Sequence, residues 1–273
     1  MVNAMLSQAS TNPSEKVRVM IVDDSAFMRF TLTQQLNEHP AIQVVGSASN
    51  GREALKLIPE LQPDVITLDV EMPKMDGLTT LGHIMTDFPR PVIMFSSLTR
   101  EGTAETIRAL MLGAVDFIAK PDNRVNISEA MKEMVDKILG AARAKVKPVA
   151  LQQPVAVVTQ SVPRIDKPTQ AYKRNTPVVL IGSSTGGPGA LNEIIPALPS
   201  SLASPVVLVQ HMPAGFTHSL SERLNSISAL KVKEAEPGDS LMVGQVLVAP
   251  GGFHMVFDEE GRVALNQRRL CME

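Results

Sequence analysis

The chain of 273 residues has a single cysteine, Cys271, and so it has no thiol to pair with. One sulfur can build neither a disulfide framework nor a thiolate zinc site, and Cys271 reads as an incidental thiol. Long apolar runs are also missing. Nothing approaches the roughly 18 residues that a membrane helix needs, so no membrane insertion is expected. Residues 1–15, MVNAMLSQASTNPSE, lack the basic-then-apolar pattern of a secretion signal and read as a flexible leader. An excess of charge of one sign is missing too: 26 lysines and arginines against 28 acids leave a net −2, which gives no general reason to expect nucleic-acid binding. The second half has neither a helix-turn-helix pattern nor a basic recognition segment, which argues against a DNA-binding regulator. The expected compartment is the cytoplasm.

What remains is a globular composition, 44% hydrophobic and 20% charged, with length enough for two domains. From Val17 onward, short apolar runs alternate with segments of helical periodicity: VRVMIV, AIQVVGSAS, DVITLDV, PVIMFSS and AVDFIAK, each followed by an amphipathic stretch. Five such pairs predict a parallel sheet covered by helices on both faces, a flavodoxin-like arrangement, over residues 16–143. Residues 144–176 then change texture. They are rich in proline, free of glycine and mildly basic, with Asp166 the lone acid, and read as a semi-extended linker. Strand–helix alternation resumes over 177–273 and predicts a second doubly wound α/β domain. Within it HMVFDEEGRVALNQ is expected to form a hairpin turning near Glu260 and Gly261.

Asp23 and Asp24 stand at the end of the first expected strand, Asp69 at the end of the third, Ser96 at the end of the fourth and Lys120 at the end of the fifth. Ligands of open α/β sheets gather at the carboxyl ends of strands. Three carboxylates converging there repel one another unless a cation sits among them, and hard oxygen donors suit Mg²⁺. A metal, an ammonium and a hydroxyl around one carboxylate are what an aspartyl phosphate requires. Any one of these acids alone is as well explained as a helix cap, but five residues ending four strands are not.

Those residues, with DVEMPKMDG around Asp69, MFSSLT around Ser96 and FIAKP around Lys120, resemble the receiver domain of two-component response regulators. The resemblance implies that Asp69 accepts the phosphoryl group. It also implies that Asp23, Asp24, Asp69 and the Glu71 carbonyl hold Mg²⁺, and that Ser96, Phe117 and Lys120 carry the switch.

In VVLIGSSTGG, Gly182, Ser184 and Gly186 fit the spacing of a nucleophile elbow, with a strand before and a helix after. The Thr185 and Gly186 amides at the helix start are candidate oxyanion donors. No Gly-Lys-Ser/Thr follows, as a P-loop would require, and the glycines do not form a dinucleotide fingerprint. The pattern alone leaves a plain glycine turn open. A serine nucleophile needs a base, and His211 ends the next strand, in VVLVQHMPAGF. His254 is a weaker rival, His218 a surface residue, and His39 and His83 lie in the first domain.

Taken together, VVLIGSSTGGPGAL, VVLVQHMPAGFT and VLVAPGGFHM resemble the catalytic domain of chemotaxis protein-glutamate methylesterases, the CheB family, in which a receiver, a linker and this domain follow in that order. The resemblance implies Ser184 as nucleophile and His211 as general base. It implies γ-glutamyl methyl esters of methyl-accepting chemotaxis receptors as substrate, receptor glutamines as a second substrate, and the chemotaxis histidine kinase as phosphodonor. The family's third triad member, an aspartate in a Met-Gly-x-Asp-Gly stretch, has no counterpart among these residues. The second domain is therefore expected to be incomplete, with unpaired strand edges and uncovered apolar surface. An alternative is a phospho-accepting binding module joined to an inactive esterase.

Overall fold

The computed structural model describes residues 16–96, 99–120, 127–144, 146, 170–171 and 177–267. The expectations placed on the leader, on most of the linker and on Cys271 lie outside those residues. Ten elements alternate in the first half: β1 Val17–Val22, α1 Ala26–Glu38, β2 Ile42–Ala48, α2 Gly51–Leu61, β3 Val65–Asp69, α3 Gly77–Asp87, β4 Val92–Ser96, α4 Arg100–Met111, β5 Asp116–Ala119 and α5 Ile127–Ala141. The strands form one parallel sheet in the order β2-β1-β3-β4-β5.

The local reasons are plain in the sequence. Strands β3 and β4 are largely apolar because helices cover both faces, and every residue of each is buried, Thr67, Asp69 and Ser96 included. Helix starts are capped by short polar side chains: Ser25 accepts from the Met28 amide, Asp76 from Thr79 and Thr99 from Gly102. At α2 the cap is reciprocal. Asn50 accepts from the Glu53 amide at 3.1 Å, and Glu53 reaches back to the Ser49 amide at 2.7 Å.

The second half contains β7 Val179–Ser183, α6 Gly187–Ala197, β8 Val206–Gln210, α7 Phe216–Ile227, β9 Lys231–Glu234, β10 Met242–Val243, β11 Gln245–Val248, β12 His254–Phe257 and β13 Val263–Asn266. Four of these strands form a second parallel sheet, β7-β8-β11-β9. Strands β12 and β13 are the expected hairpin. Asp258 holds its turn by accepting from the amides of Glu260 and Arg262, with Gly261 at φ 75°. Inside the expected linker, Gln170–Ala171 is a short strand, β6, paired antiparallel with β10. An extended stretch with free backbone groups has found an edge to bond to.

Apolar surface is left open on one face of the second sheet. Leu180 pairs in register with Val207, and Gly182 with Val209, so the four share a face. Val207 is covered, together with Leu247, by Leu241 and Val263, whereas Leu180 is 75% and Val209 51% exposed.

The two halves share a core. Ile107 and Leu110 of α4 belong to one buried cluster with Leu220 and Leu224 of α7. At its centre the rings of Phe117 and Phe216 stack with centroids 4.3 Å apart and planes 28° from parallel. Such a pair is worth about 0.5–1.5 kcal/mol beyond its burial.

Candidate phosphoacceptor and hydrolase sites

The acids expected to meet do meet. Asp23, Asp24 and Asp69 each present an oxygen such that all three lie within 4.8 Å of one another, with Asp23 and Asp69 buried and Asp24 exposed. Backbone amides orient the buried pair: Ser25 donates to Asp23 Oδ1 at 2.8 Å and Glu71 to Asp69 Oδ1 at 3.2 Å. The inner oxygens face Lys120, whose Nζ is 2.6 Å from Asp69 Oδ2 and 3.7 Å from Asp23 Oδ2. Burial pushes the Asp69 carboxyl up to about 6, with the Lys120 ammonium opposing the rise and Asp23 adding to it. Burial raises Asp23 as well, again against Lys120.

Two buried carboxylates therefore share one ammonium, and Asp23 Oδ2 accepts no hydrogen bond. A divalent cation held by oxygen donors would relieve that shortage of positive charge, so the residues fit Mg²⁺.

Ser96 ends β4 as expected, and its hydroxyl is engaged with α4. Thr106 Oγ1 donates to Ser96 Oγ at 2.7 Å, and Ser96 Oγ donates to the Gly102 carbonyl at 3.2 Å. Phe117 is buried in the shared core. Lys137, which sequence reasoning passed over, donates to the Phe117 carbonyl at 2.6 Å, pairs with Asp116 at 3.1 Å and with Glu133 at 2.8 Å, and stands 5.1 Å from the Phe117 ring centroid.

In the second half Ser184 and His211 sit just past the ends of the adjacent parallel strands β7 and β8. Ser184 Oγ lies 3.3 Å from His211 Nδ1. Nδ1 accepts from the serine in the tautomer that carries its proton on Nε2. The turn is built as the glycines suggest: Gly186 sits at φ 76°, which favours glycine, and Gly187 opens α6 by donating to the Ser184 carbonyl at 2.7 Å. The Thr185 amide is spent on no hydrogen bond among the described residues. Ser184, Thr185 and His211 border a cleft of about 710 Å³, whose opposite wall is α5 of the first half, through Lys132, Glu133, Asp136 and Lys137. A Cβ placed on Gly140 of α5 would lie 3.6 Å from Thr185 Cγ2, so the helix runs directly beside the elbow.

Among the described residues no carboxylate pairs with His211. His254 opens β12 and makes no hydrogen bond to Ser184 or His211, so it does not compete as the base. His218 is exposed on α7 beside Glu222 and Glu234. His39 accepts from the Ala41 amide, and His83 faces Asp87, both far along the chain from the elbow.

Comparison with known proteins assigns each half of the chain to a family. The family model for the CheB methylesterase matches residues 179–272, and that for the response regulator receiver domain matches residues 19–132. A protein-glutamate methylesterase/protein-glutamine glutaminase of Symbiobacterium thermophilum is 51% identical over 260 residues, covering 92% of this chain and 72% of that protein. A protein of the same name from Geobacillus kaustophilus is 48% identical, over 90% of this chain and 69% of its own length. Among solved structures, the catalytic domain of the Thermotoga maritima CheB methylesterase is 50% identical where it matches. That match covers 34% of this chain and 51% of the other, with a TM-score of 0.33.

Proposed function

The chain belongs to the CheB family of receiver-linked methylesterases, and from that premise we propose that it is a phosphorylation-regulated protein-glutamate methylesterase and glutaminase of bacterial chemotaxis. Its substrates would be glutamate methyl esters and glutamines on methyl-accepting receptors, and its phosphodonor the chemotaxis histidine kinase. No helix among the described residues is long and apolar enough to cross a membrane, which is consistent with action in the cytoplasm. We assign the receiver to residues 16–143, the linker to 144–176 and the catalytic domain to 177–273.

The observation that carries the reading is the 3.3 Å approach of Ser184 Oγ to His211 Nδ1 at the mouth of a cleft walled by the receiver's α5. His211 takes the serine proton as Oγ attacks the γ-carbonyl carbon of the substrate, giving a tetrahedral oxyanion. The Thr185 and Gly186 amides at the start of α6 are the donors placed to stabilise it. As the tetrahedral species collapses, His211 returns the proton to the leaving methoxide, or to the leaving amine of a glutamine. Methanol or ammonia departs and an acyl-serine remains. Water, deprotonated by the same imidazole, then releases glutamate and regenerates Ser184.

In the receiver, the Asp69 carboxylate attacks the phosphoryl phosphorus of the donor as the bond from phosphorus to the kinase's histidine nitrogen breaks. The imidazole leaves and takes up a proton from solvent, and Lys120 compensates charge on the transferred group. Asp23, Asp24, Asp69 and the Glu71 carbonyl are the groups that would hold Mg²⁺, which when bound would neutralise charge on the carboxylates and phosphoryl oxygens.

A second reading, a phosphoacceptor whose esterase is silent, is favoured by the absence, among the described residues, of a carboxylate paired with His211. Loss of the residue that orients a catalytic histidine typically costs about 10⁴-fold in kcat. One assay separates the two: methanol release from methyl-labelled receptors, with and without acetyl phosphate, by this chain and by Ser184→Ala. Release that depends on Ser184 and is stimulated by acetyl phosphate supports the esterase. Absence of release, with Asp69 still phosphorylated, supports the silent module.

A further inference from the structure

Gln210 precedes His211 on β8 and is 5% exposed, on the inward side of a strand otherwise filled with valine and leucine. A buried carboxamide must have its polar atoms satisfied, and this one satisfies them on the catalytic turn. Nε2 donates to the Ser184 carbonyl at 3.0 Å and to the His211 carbonyl at 3.1 Å. Oε1 accepts from Ser183 Oγ at 2.7 Å. Carbonyls only accept, so the amide's orientation is dictated by its partners. The neighbourhood is shaped around it: a Cβ on Gly187 would overlap Gln210 Oε1.

These bonds govern where the reacting groups point. Across a trans peptide the C=O and the following N–H point in opposite directions. Holding the Ser184 carbonyl down onto Gln210 therefore turns the Thr185 N–H away from Gln210, where it is left unspent beside Ser184. His211 is pinned at both ends, by its amide donating to the Ser183 carbonyl at 2.9 Å and by its carbonyl on Gln210. We propose that Gln210 is a positioning residue for the hydrolysis, its carboxamide clamping the serine turn to the histidine's strand end so that nucleophile, base and Thr185 amide share one geometry. This rests on the esterase reading above.

The test uses the full chain with Gln210→Met, which keeps length and removes the bonds, and Gln210→Glu, which keeps the acceptor and loses the donors. Misplacing a reacting group by about 1 Å costs on the order of 100-fold. For Gln210→Met, kcat should fall about 10- to 100-fold with KM little changed and Asp69 phosphorylation intact. The ratio of wild-type to Gln210→Glu kcat should narrow as pH falls, because burial against two carbonyl oxygens raises the new carboxyl and its protonation returns one donor, while the Gln210→Met ratio stays flat. A Gln210→Met kcat within about twofold of wild type overturns the proposal. So does a loss in both variants that tracks loss of folded protein and shows no pH difference. If the wild type itself releases no methanol, the esterase reading has failed, and the clamp is then read by the NMR signal of the His211 imidazole. A signal moved by Gln210→Met and by the milder Ser183→Ala supports the clamp, and an unmoved one refutes it.

Discussion

Replacing Asp69 by asparagine should make the receiver more stable at neutral pH, and the gain should vanish in acid. Asp69 is 1% exposed, and its carboxyl is pushed from 3.8 to about 6, chiefly by burial. A carboxyl raised on folding contributes stability that is fully present below about pH 4 and is lost as pH rises through about 6. At about 1.4 kcal/mol for each tenfold, the ionised group costs the fold about 3 kcal/mol at neutral pH, which is the ceiling on what asparagine can recover. The gain falls short of that ceiling, because the single asparagine oxygen can accept from the Glu71 amide or from Lys120 but not both. Keeping the Glu71 bond leaves Lys120 with Asp23, at 3.7 Å, as its remaining carboxylate.

Amide hydrogen exchange in β1 and β3 of the full chain reports the opening free energy of the receiver sheet in its docked setting, which wild type and variant share. The variant should exceed wild type by about 1–3 kcal/mol near pH 7.5, with the difference closing towards pH 4. Saturating Mg²⁺ should raise wild type by about 2.7 kcal/mol at one hundred times its dissociation constant and leave the variant nearly unchanged. A variant no more stable than wild type at neutral pH, or a gain that persists unchanged in acid, would refute the argument that burial of Asp69 dominates this site.

The same Asp69→Asn chain should show no stimulation of methanol release by acetyl phosphate, and undiminished stimulation would remove Asp69 as the phosphoacceptor. Phe216→Ala deletes a fully buried ring at the contact between the halves, at a cost of about 3–5 kcal/mol, and should raise unstimulated release while lowering the stimulated ratio. An unchanged ratio in folded protein would show that the stack transmits nothing. Gly187→Ala should lower kcat about 10- to 100-fold, because its methyl displaces Gln210, with Asp69 phosphorylation rates as the control that stays put. Lys137→Met should reduce the stimulated ratio towards one while Asp69 is phosphorylated normally. A ratio equal to wild type would exclude Lys137 from the coupling.

Much of this was legible in the sequence wherever the signal was local. The runs ending at Asp23, Asp69 and Lys120 were strands because apolar residues fill both faces, and strand ends in such a sheet converge. Ser184 and His211 met because successive parallel strands tend to be neighbours. The insertion of β11 between β8 and β9 was not legible, since β11 and β9 are short runs whose pairing order is set by packing rather than by periodicity. Ser96 shows a subtler limit: its place at the end of β4 was readable, but its hydroxyl's engagement with α4 depends on Thr106, ten residues on. Gln210 was overlooked, although a polar residue at an inward position of an apolar strand is itself a signal that something nearby needs its hydrogen bonds. Docking of α5 beside the elbow was invisible, because it depends on complementary surfaces from both halves, joined by a linker compatible with many arrangements.

Lys137 explains how two centres with separate chemistry come to share one structure. Lys137 is 7% exposed, and its ammonium is met by Asp116, Glu133 and the Phe117 carbonyl together. Breaking such a set by removing one partner is costly, because the charge that remains is buried and uncompensated. Two of those partners, Asp116 and the Phe117 carbonyl, belong to β5, the strand that leads to Lys120 and so to Asp69. The third, Glu133, lies with Lys137 on the helix that walls the cleft before Ser184. The Phe117 ring meanwhile rests on Phe216 at the start of α7. A shift of β5 driven by charge at Asp69 must therefore either carry α5 with it or unseat the ammonium, and both change the wall of the cleft. The connection is contiguous, and the Lys137→Met measurement of the stimulated ratio decides whether it carries coupling between the two centres.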